Sequence, residues 1–286
     1  MIPAPSAPEP LDKVISTRDL KFAYEGGIRA LGGINLDIRR GEYVAIVGGN
    51  GSGKTTLAKN LNGLLRPTSG TVTVNGGHTS DQTVAQLARV IGYAFQNPDH
   101  QLFCSSVADE VRFGPQNMGC QADEMSKRTE RAIEAMNLTS LRNEPPLSLT
   151  LGERRRVSIA SVIAMDPEVY VLDEPTTGLD VRETDELMAS IERLNHEGHT
   201  IILITHDMNL VAKHAKRVIV MSEGRIVLDS DPAGAFSDLG ILLQSKLVPP
   251  PVVQLAHRLS ALGVPRDILS PEELVFRLML DRGDGQ

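Results

Sequence analysis

Gly48-Gly49-Asn50-Gly51-Ser52-Gly53-Lys54-Thr55 fits the pattern G-x-x-x-x-G-K-[ST], which describes a loop that wraps phosphate groups. Before it runs Tyr43-Val44-Ala45-Ile46-Val47, an apolar stretch suited to a buried strand. After it, Thr56-Leu57-Ala58-Lys59-Asn60-Leu61 continues as the first turns of a helix. Strand, loop and helix in that order are the setting the motif requires. The glycines let the backbone curl so that successive N–H groups point at one anion. The positive helix end adds roughly half an elementary charge toward that anion. Gly48, Asn50, Gly51, Ser52 and Gly53 are therefore read as the cradle, continued by Thr56. Lys54 can reach the β- and γ-phosphates of a nucleotide, and the Thr55 hydroxyl can bind Mg²⁺.

A second stretch, Val169-Tyr170-Val171-Leu172-Asp173-Glu174, sets two acids behind four apolar residues. That arrangement places the pair at a strand's C-terminal edge, where open α/β sheets bind ligands. Read alone, the acids could instead cap the next helix. Behind a matched phosphate loop, Asp173 is positioned to hold Mg²⁺ and Glu174 to orient or deprotonate an attacking water.

Farther out, strand-like segments run from Val14 to Tyr24 and, with period-two alternation, from Ile34 to Ile38. Thr71–Val74 is another short strand, and Asn75-Gly76 a hairpin turn. The character becomes helical over about 101–164, with Ala132, Ile133, Ala135 and Met136 in an apolar stripe and a helix over 152–165. Then strands and helices alternate: Val169–Leu172, an amphipathic helix over 181–197, Thr200–Thr205, a short helix to Ala215, Arg217–Met221 and Arg225–Leu228. Alternation of this kind predicts an α/β fold with a mainly parallel sheet covered on both faces. Pro3, Pro5, Pro8 and Pro10 mark a disordered tail over 1–13, and Pro249-Pro250-Pro251 a boundary before a C-terminal helical appendage over 246–286.

Leu172-Asp173-Glu174-Pro175-Thr176-Thr177-Gly178-Leu179-Asp180 resembles the combined Walker B and D-loop of ATP-binding-cassette (ABC) ATPases, and the motifs stand in that family's order over 14–231. The resemblance implies a P-loop NTPase with a RecA-like core, an antiparallel β subdomain and a helical subdomain, spanning 14–245. It implies ATP and Mg²⁺ as cofactors. Tyr24 takes the place of the aromatic that stacks on adenine, and Gln96 that of the Q-loop glutamine that senses Mg²⁺ and meets a membrane partner. His206 matches the switch histidine at the γ-phosphate, and Asp180 the D-loop aspartate coupling two sites of a dimer. The signature, normally Leu-Ser-Gly-Gly-Gln, falls on Leu149-Thr150-Leu151-Gly152-Glu153. Thr150 keeps a hydroxyl and Gly152 the second glycine, whereas Leu151 replaces the first glycine and Glu153 the amide. Because the family's signature completes the site of the opposite subunit, Thr150, Gly152 and Asp180 are expected to act in trans. The altered signature favours a heterodimer with a second ABC ATPase over a homodimer of slow turnover.

Phe95-Gln96-Asn97-Pro98-Asp99-His100-Gln101-Leu102-Phe103, with Val111-Arg112-Phe113-Gly114-Pro115, is similar to ATPase subunits of energy-coupling factor importers for vitamins or metal ions such as cobalt or nickel. That likeness implies a membrane scaffold subunit, docked near Gln96–Phe103, and a substrate-binding membrane subunit. It also implies a dimerisation role for the C-terminal appendage and a place at the cytoplasmic face of the cell membrane.

Composition narrows the alternatives. The 286 residues carry a net charge of −7, so a nucleic-acid partner, which calls for a basic stripe, is not expected. Apolar runs fall short of the roughly 20 residues that cross a bilayer. Cys104 and Cys120 lack metal-site spacing, and Gly198 interrupts the helix that would bring His196 and His199 together on a metal. A soluble cassette acting on ribosomes or DNA usually carries two cassettes, coiled-coil insertions or zinc modules. A regulatory nucleotide sensor fits the altered signature but not the intact Lys54, Asp173, Glu174 and His206.

Overall fold

The computed structural model describes residues 13–283, with side chains described to Met279. The expected Pro-rich tail lies outside the described residues except for Lys13, which opens the first strand.

Two sheets share the chain. β1 (Lys13–Ala23) and β2 (Arg29–Arg39) form the first, and the chain leaves it through β3 (Tyr43–Val47). It returns as β4 (Ser69–Val74) and β5 (Gly77–His78), completing an antiparallel sheet of order β2-β1-β4-β5. β3 lies in the second sheet with β6 (Ile91–Ala94), β7 (Val169–Asp173), β8 (Thr200–Ile204), β9 (Arg217–Ser222) and β10 (Arg225–Ser230). Its order is β10-β9-β3-β8-β7-β6, parallel except for the β9–β10 hairpin. Every residue of β3, β6, β7 and β8 is buried, which explains why β3, β7 and β8 read as apolar runs without alternation. Burying each Val, Ile or Leu contributes at most about 1.5–3 kcal/mol.

The register aligns the parallel strands at their C-terminal ends. Ile46 and Asp173 both pair with Ile204, Ala94 pairs with Leu172, and Val47 with Val220. Residues just past these ends meet along one edge. Both hairpin turns take positive φ at their two central residues, Asn75-Gly76 (49° and 78°) and Glu223-Gly224 (48° and 73°), as the twist of the flanking strands demands.

Helices cover the second sheet. α1 (Lys54–Leu61) follows the phosphate loop, and α2 (Val84–Leu87) is one capped turn. α3 (Val107–Asn117), α4 (Ala122–Ala135) and α5 (Leu151–Met165) pack into a separate layer whose buried residues include Val111, Ile133 and Val157. Helix thus occupies most of the 101–164 region, beginning at Val107 after a loop. α6 (Val181–His196) and α7 (Met208–His214) complete the crossovers.

Beyond β10 come two helices that the sequence pattern did not announce, α8 (Pro232–Ser237) and α9 (Leu239–Gln244). Lys246 and Leu247 donate their N–H groups to Leu243 O (3.0 Å) and Leu242 O (2.9 Å), a Schellman closure of α9. Leu242, Leu247 and Val253 are buried in one cluster with Ala45, Val47, Val218 and Val220, so the chain past 246 is seated on the main sheet. α10 (Pro251–Leu259) and α11 (Pro271–Gly283) enclose a small cluster of Ala256, Val264, Ile268 and Leu274. Leu255, Leu262, Val275, Phe276 and Met279 remain exposed on this part.

Candidate functional site

The phosphate loop leaves β3 at a point where glycine is obligatory. Gly48 has φ 154°, and a Cβ there would lie 2.3 Å from Met221 O. Gly53 has φ 101°, and a Cβ there would lie 2.7 Å from Ala30 O. Ser52 donates its N–H to Gly49 O at 3.1 Å and closes the loop. Asn50, Gly51, Ser52, Gly53, Lys54, Thr55 and Thr56 line an open cleft of about 380 Å³.

Lys54 is buried at the start of α1, its Nζ donating to Gly48 O (2.7 Å) and Gly49 O (3.1 Å). Burial lowers its ammonium below the ordinary value, and the Glu174 and Asp173 carboxylates oppose that shift. The ion is thus held inside the loop by carbonyls, which a phosphate can replace as acceptors.

β7 delivers Asp173 to the same edge. Thr55 Oγ1 donates to Asp173 Oδ2 at 2.9 Å, and Tyr93 OH donates to the same oxygen at 2.8 Å. The Tyr93 phenol is pushed up by burial and then by Asp173, so it stays protonated and donates. Asp173 Oδ1 is buried and has no hydrogen-bond partner among the described residues. A buried carboxylate oxygen left bare beside a threonine hydroxyl is the donor set a hard divalent cation takes, so these residues fit Mg²⁺.

Glu174 follows in a left-handed conformation (φ 50°), tied by its N–H to Ile204 O at 2.8 Å. A non-glycine residue strained in this way is held there by its surroundings. Its Oε1 lies 2.7 Å from His206 Nδ1. His206 itself is largely exposed, two residues past β8. Glu174 lines the cleft, while His206 reaches it through Glu174.

Tyr24 and Gln96 also line the cleft. Tyr24 OH is 3.0 Å from Thr56 Oγ1, and Phe22 meets the ring edge-on at 4.9 Å. The residue is half-exposed where it lines the cleft. Gln96 is exposed just past β6. The remaining candidates stand elsewhere. Thr150 caps α5 in a reciprocal box with Glu153, Gly152 is buried against Leu179 and Glu183, and Asp180 caps α6. None of the three lines the cleft formed by Lys54 and Glu174.

Two residues at this site escaped the sequence reading. Tyr93 lies on β6, whose four residues gave no strand signal. Arg155, 2 % exposed, donates from Nη1 to Phe95 O at 2.9 Å and feels Asp173 and Glu174, which offset the lowering of its pKa by burial. Arginine one turn past a helix cap usually points to solvent, so only the fold reveals this one. The buried cations Lys54 and Arg155 thus face the buried carboxylates Asp173 and Glu174.

Beside the cleft lies an apolar groove of about 250 Å³, lined by Leu64, Val84, Phe95, Phe103, Phe113 and Met165 among others. Phe103 and Phe113 meet edge to face at 4.8 Å and are both exposed. Glu110 fixes this wall by accepting the N–H groups of Phe103 and Cys104, each at 2.8 Å.

The family model described as ABC transporter matches residues 31–177. A putative ABC transporter ATP-binding protein, TTE1589, of Caldanaerobacter subterraneus subsp. tengcongensis is 45% identical over 264 residues, covering 92% of this chain and 46% of that protein. The energy-coupling factor transporter ATP-binding protein EcfA of Methanothermobacter thermautotrophicus is 38% identical over 269 residues, covering 93% and 86%. Among solved structures, CbiO1 from Clostridium perfringens, described as part of the ABC transporter complex CbiONQ, is similar with TM-score 0.73 at 38% identity, covering 86% of this chain and 99% of its own. The chain spans about half the length, 43–46%, of several relatives it matches.

Proposed function

The chain belongs to the ABC transporter family, and from that premise we propose that it is the ATP-hydrolysing subunit of an energy-coupling factor importer. The observation that carries this reading is the convergence of Lys54, Thr55, Asp173 and Glu174 on one cleft at the sheet edge. Similarity to EcfA and CbiO1 supports the branch.

In this reading Lys54 exchanges its loop carbonyls for the β- and γ-phosphates of ATP, and loop amides stabilise the charge on the transferring group. Asp173 and Thr55 hold Mg²⁺, which neutralises phosphate charge when bound. Glu174 orients the attacking water, and His206, on its Oε1, keeps that carboxylate aimed and contacts the γ-phosphate. Tyr24 receives the adenine.

Thr150, Gly152 and Asp180 do not line their own cleft, which supports their acting on the site of a second ATPase. Leu151 stands where the family has its first glycine, and its Cδ2 would be 2.9 Å from a Cβ on Gly178. The signature half of the partner's site is therefore the altered one. A heterodimer whose other subunit supplies an intact signature to Lys54 and Glu174 fits this asymmetry better than a homodimer.

The apolar groove at Phe103 and Phe113 is suited to a helix of the scaffold subunit. The exposed apolar side chains of 255–279 suit the pairing of two ATPases. Among the described residues no helix is long and apolar enough to cross a membrane, so attachment to the cytoplasmic face of the cell membrane would come through partners. The transported substrate, a vitamin or a transition-metal ion, would be selected by another subunit. Purification of the tagged chain from detergent-solubilised membranes of its source is the test. A second ATPase and two membrane subunits are expected in stoichiometric amounts; recovery with ribosomes or DNA alone would contradict the proposal.

A further inference from the structure

The peptide between Gly48 and Gly49 links two parts of the molecule. Its N–H donates to Ser245 O at 3.0 Å, and its C=O accepts from Lys54 Nζ at 2.7 Å. The peptide is trans and planar, so its N–H and C=O point in opposite directions. Fixing the N–H on Ser245 therefore aims the carbonyl at Lys54. The contact is close: a Cβ on Gly49 would lie 3.1 Å from Ser245 O and 3.1 Å from Lys246 Cβ.

Lys246 occupies the position of the Schellman closure where glycine or asparagine prevails, with φ 60°. A left-handed lysine is disfavoured, so an observed one points to a local requirement. Its side chain lies against Gly49, with Cδ 3.4 Å from the same virtual Cβ. Asn50, Gly51, Ser52 and Glu223 continue that outer wall of the loop around a cleft of about 210 Å³. Leu247, next in the chain, is anchored among Ala45 and Val47 of β3.

We propose that the Ser245–Lys246 turn is a brace that positions the phosphate loop, and Lys54 through it, so that affinity for a nucleoside triphosphate depends on the C-terminal segment beginning there. The inference rests on the nucleotide site proposed above. Lys246 is a positioning residue: it packs on Gly49 and touches no substrate. An unbraced loop would sample other orientations of the Gly48–Gly49 peptide, and binding would have to select among them.

Lys246→Gly removes the side chain and relieves the left-handed backbone; Lys246→Gln keeps most of the stem without the charge. Thermal stability of Lys246→Gly is expected to hold or rise while its Kd for ATP increases about fivefold. Lys246→Gln is expected to bind as the unsubstituted chain does. Wild-type affinity in Lys246→Gly, or equal weakening in both variants, overturns the brace. Lys54→Ala is the control. If it abolishes binding while Lys246→Gly does not weaken it, the brace alone fails; if it too leaves binding intact, the nucleotide site itself is wrongly placed. Hydrogen exchange of the unsubstituted chain decides the matter even if a variant does not fold. Amides of 245–247 are expected to exchange more slowly with ATP, and identical exchange with and without it overturns the proposal.

Discussion

Asp173 shows how much one carboxylate can organise. Thr55 and Tyr93 share Oδ2 and leave Oδ1 bare, so the residue is oriented before any cation arrives. Tyr93→Phe preserves the packing and removes one donor. The Mg²⁺ concentration giving half-maximal ATP turnover is expected to rise about tenfold, as for other partners of metal-holding groups. An unchanged Mg²⁺ requirement would show that Tyr93 does not orient Asp173. Asp37, which does not line the cleft, makes a prediction in pH. Arg18 first, and Lys13 and Ser16 after desolvation, hold its carboxyl below the ordinary carboxylate value. A depressed folded pKa means the stabilisation is complete above the unfolded value of about 4 and is lost as pH falls through the folded one. Asp37 is partly exposed, so the effect is below about 1 kcal/mol. Asp37→Asn is expected to flatten the acid limb of the stability curve measured by urea titration below about pH 4. Parallel acid limbs in the two proteins would contradict this.

Elements carry the signature's difference. Thr150 accepts the Glu153 N–H at 3.3 Å, and Glu153 accepts the Thr150 N–H at 2.8 Å, a capping box at the head of α5. That N–H and the Thr150 hydroxyl hold the Glu153 carboxyl below its ordinary value. The carboxylate that replaces the family's amide thus serves α5 itself. Thr150→Ala is expected to cost about 1 kcal/mol in urea unfolding, and Thr150→Ser much less. Equal losses would mean that the hydroxyl cap is not the source. The elements also show what sequence could reveal. β3, β7 and β8 were legible because a strand covered on both faces must be apolar throughout, and α6 because its apolar residues recur at helical spacing. β6 was not: Ile91-Gly92-Tyr93-Ala94 carries a glycine where propensity disfavours one. Gly92 is there because a Cβ would lie 2.5 Å from Val162 Cγ1 of α5, a tertiary demand invisible in the strand's own sequence. α8 and α9, six residues each, are too short for periodicity to register.

At the scale of the whole molecule, the glycine-rich loop and the acidic pair were legible as sequence patterns because each follows a buried apolar strand, β3 or β7. Tyr93, Arg155 and the Ser245–Gly49 tether were not, since they act by closeness in space between distant segments. The same separation bears on the dimer proposed above. Lys54 and Glu174 line one cleft and Thr150, Gly152 and Asp180 do not, so in the proposed dimer the competent site is the one on this chain's Lys54 face. Reconstituted with the second ATPase of the proposed heterodimer, the Glu174→Gln chain is expected to bring steady-state hydrolysis of the mixture close to zero. Full activity in that mixture would move the competent site to the partner. The convergence of Lys54, Asp173 and Glu174 on one triphosphate is tested most directly by equilibrium ATP binding and single-turnover hydrolysis in the same Glu174→Gln preparation. Wild-type affinity with hydrolysis slowed at least about a hundredfold is the expected result; hydrolysis at the wild-type rate would contradict the account.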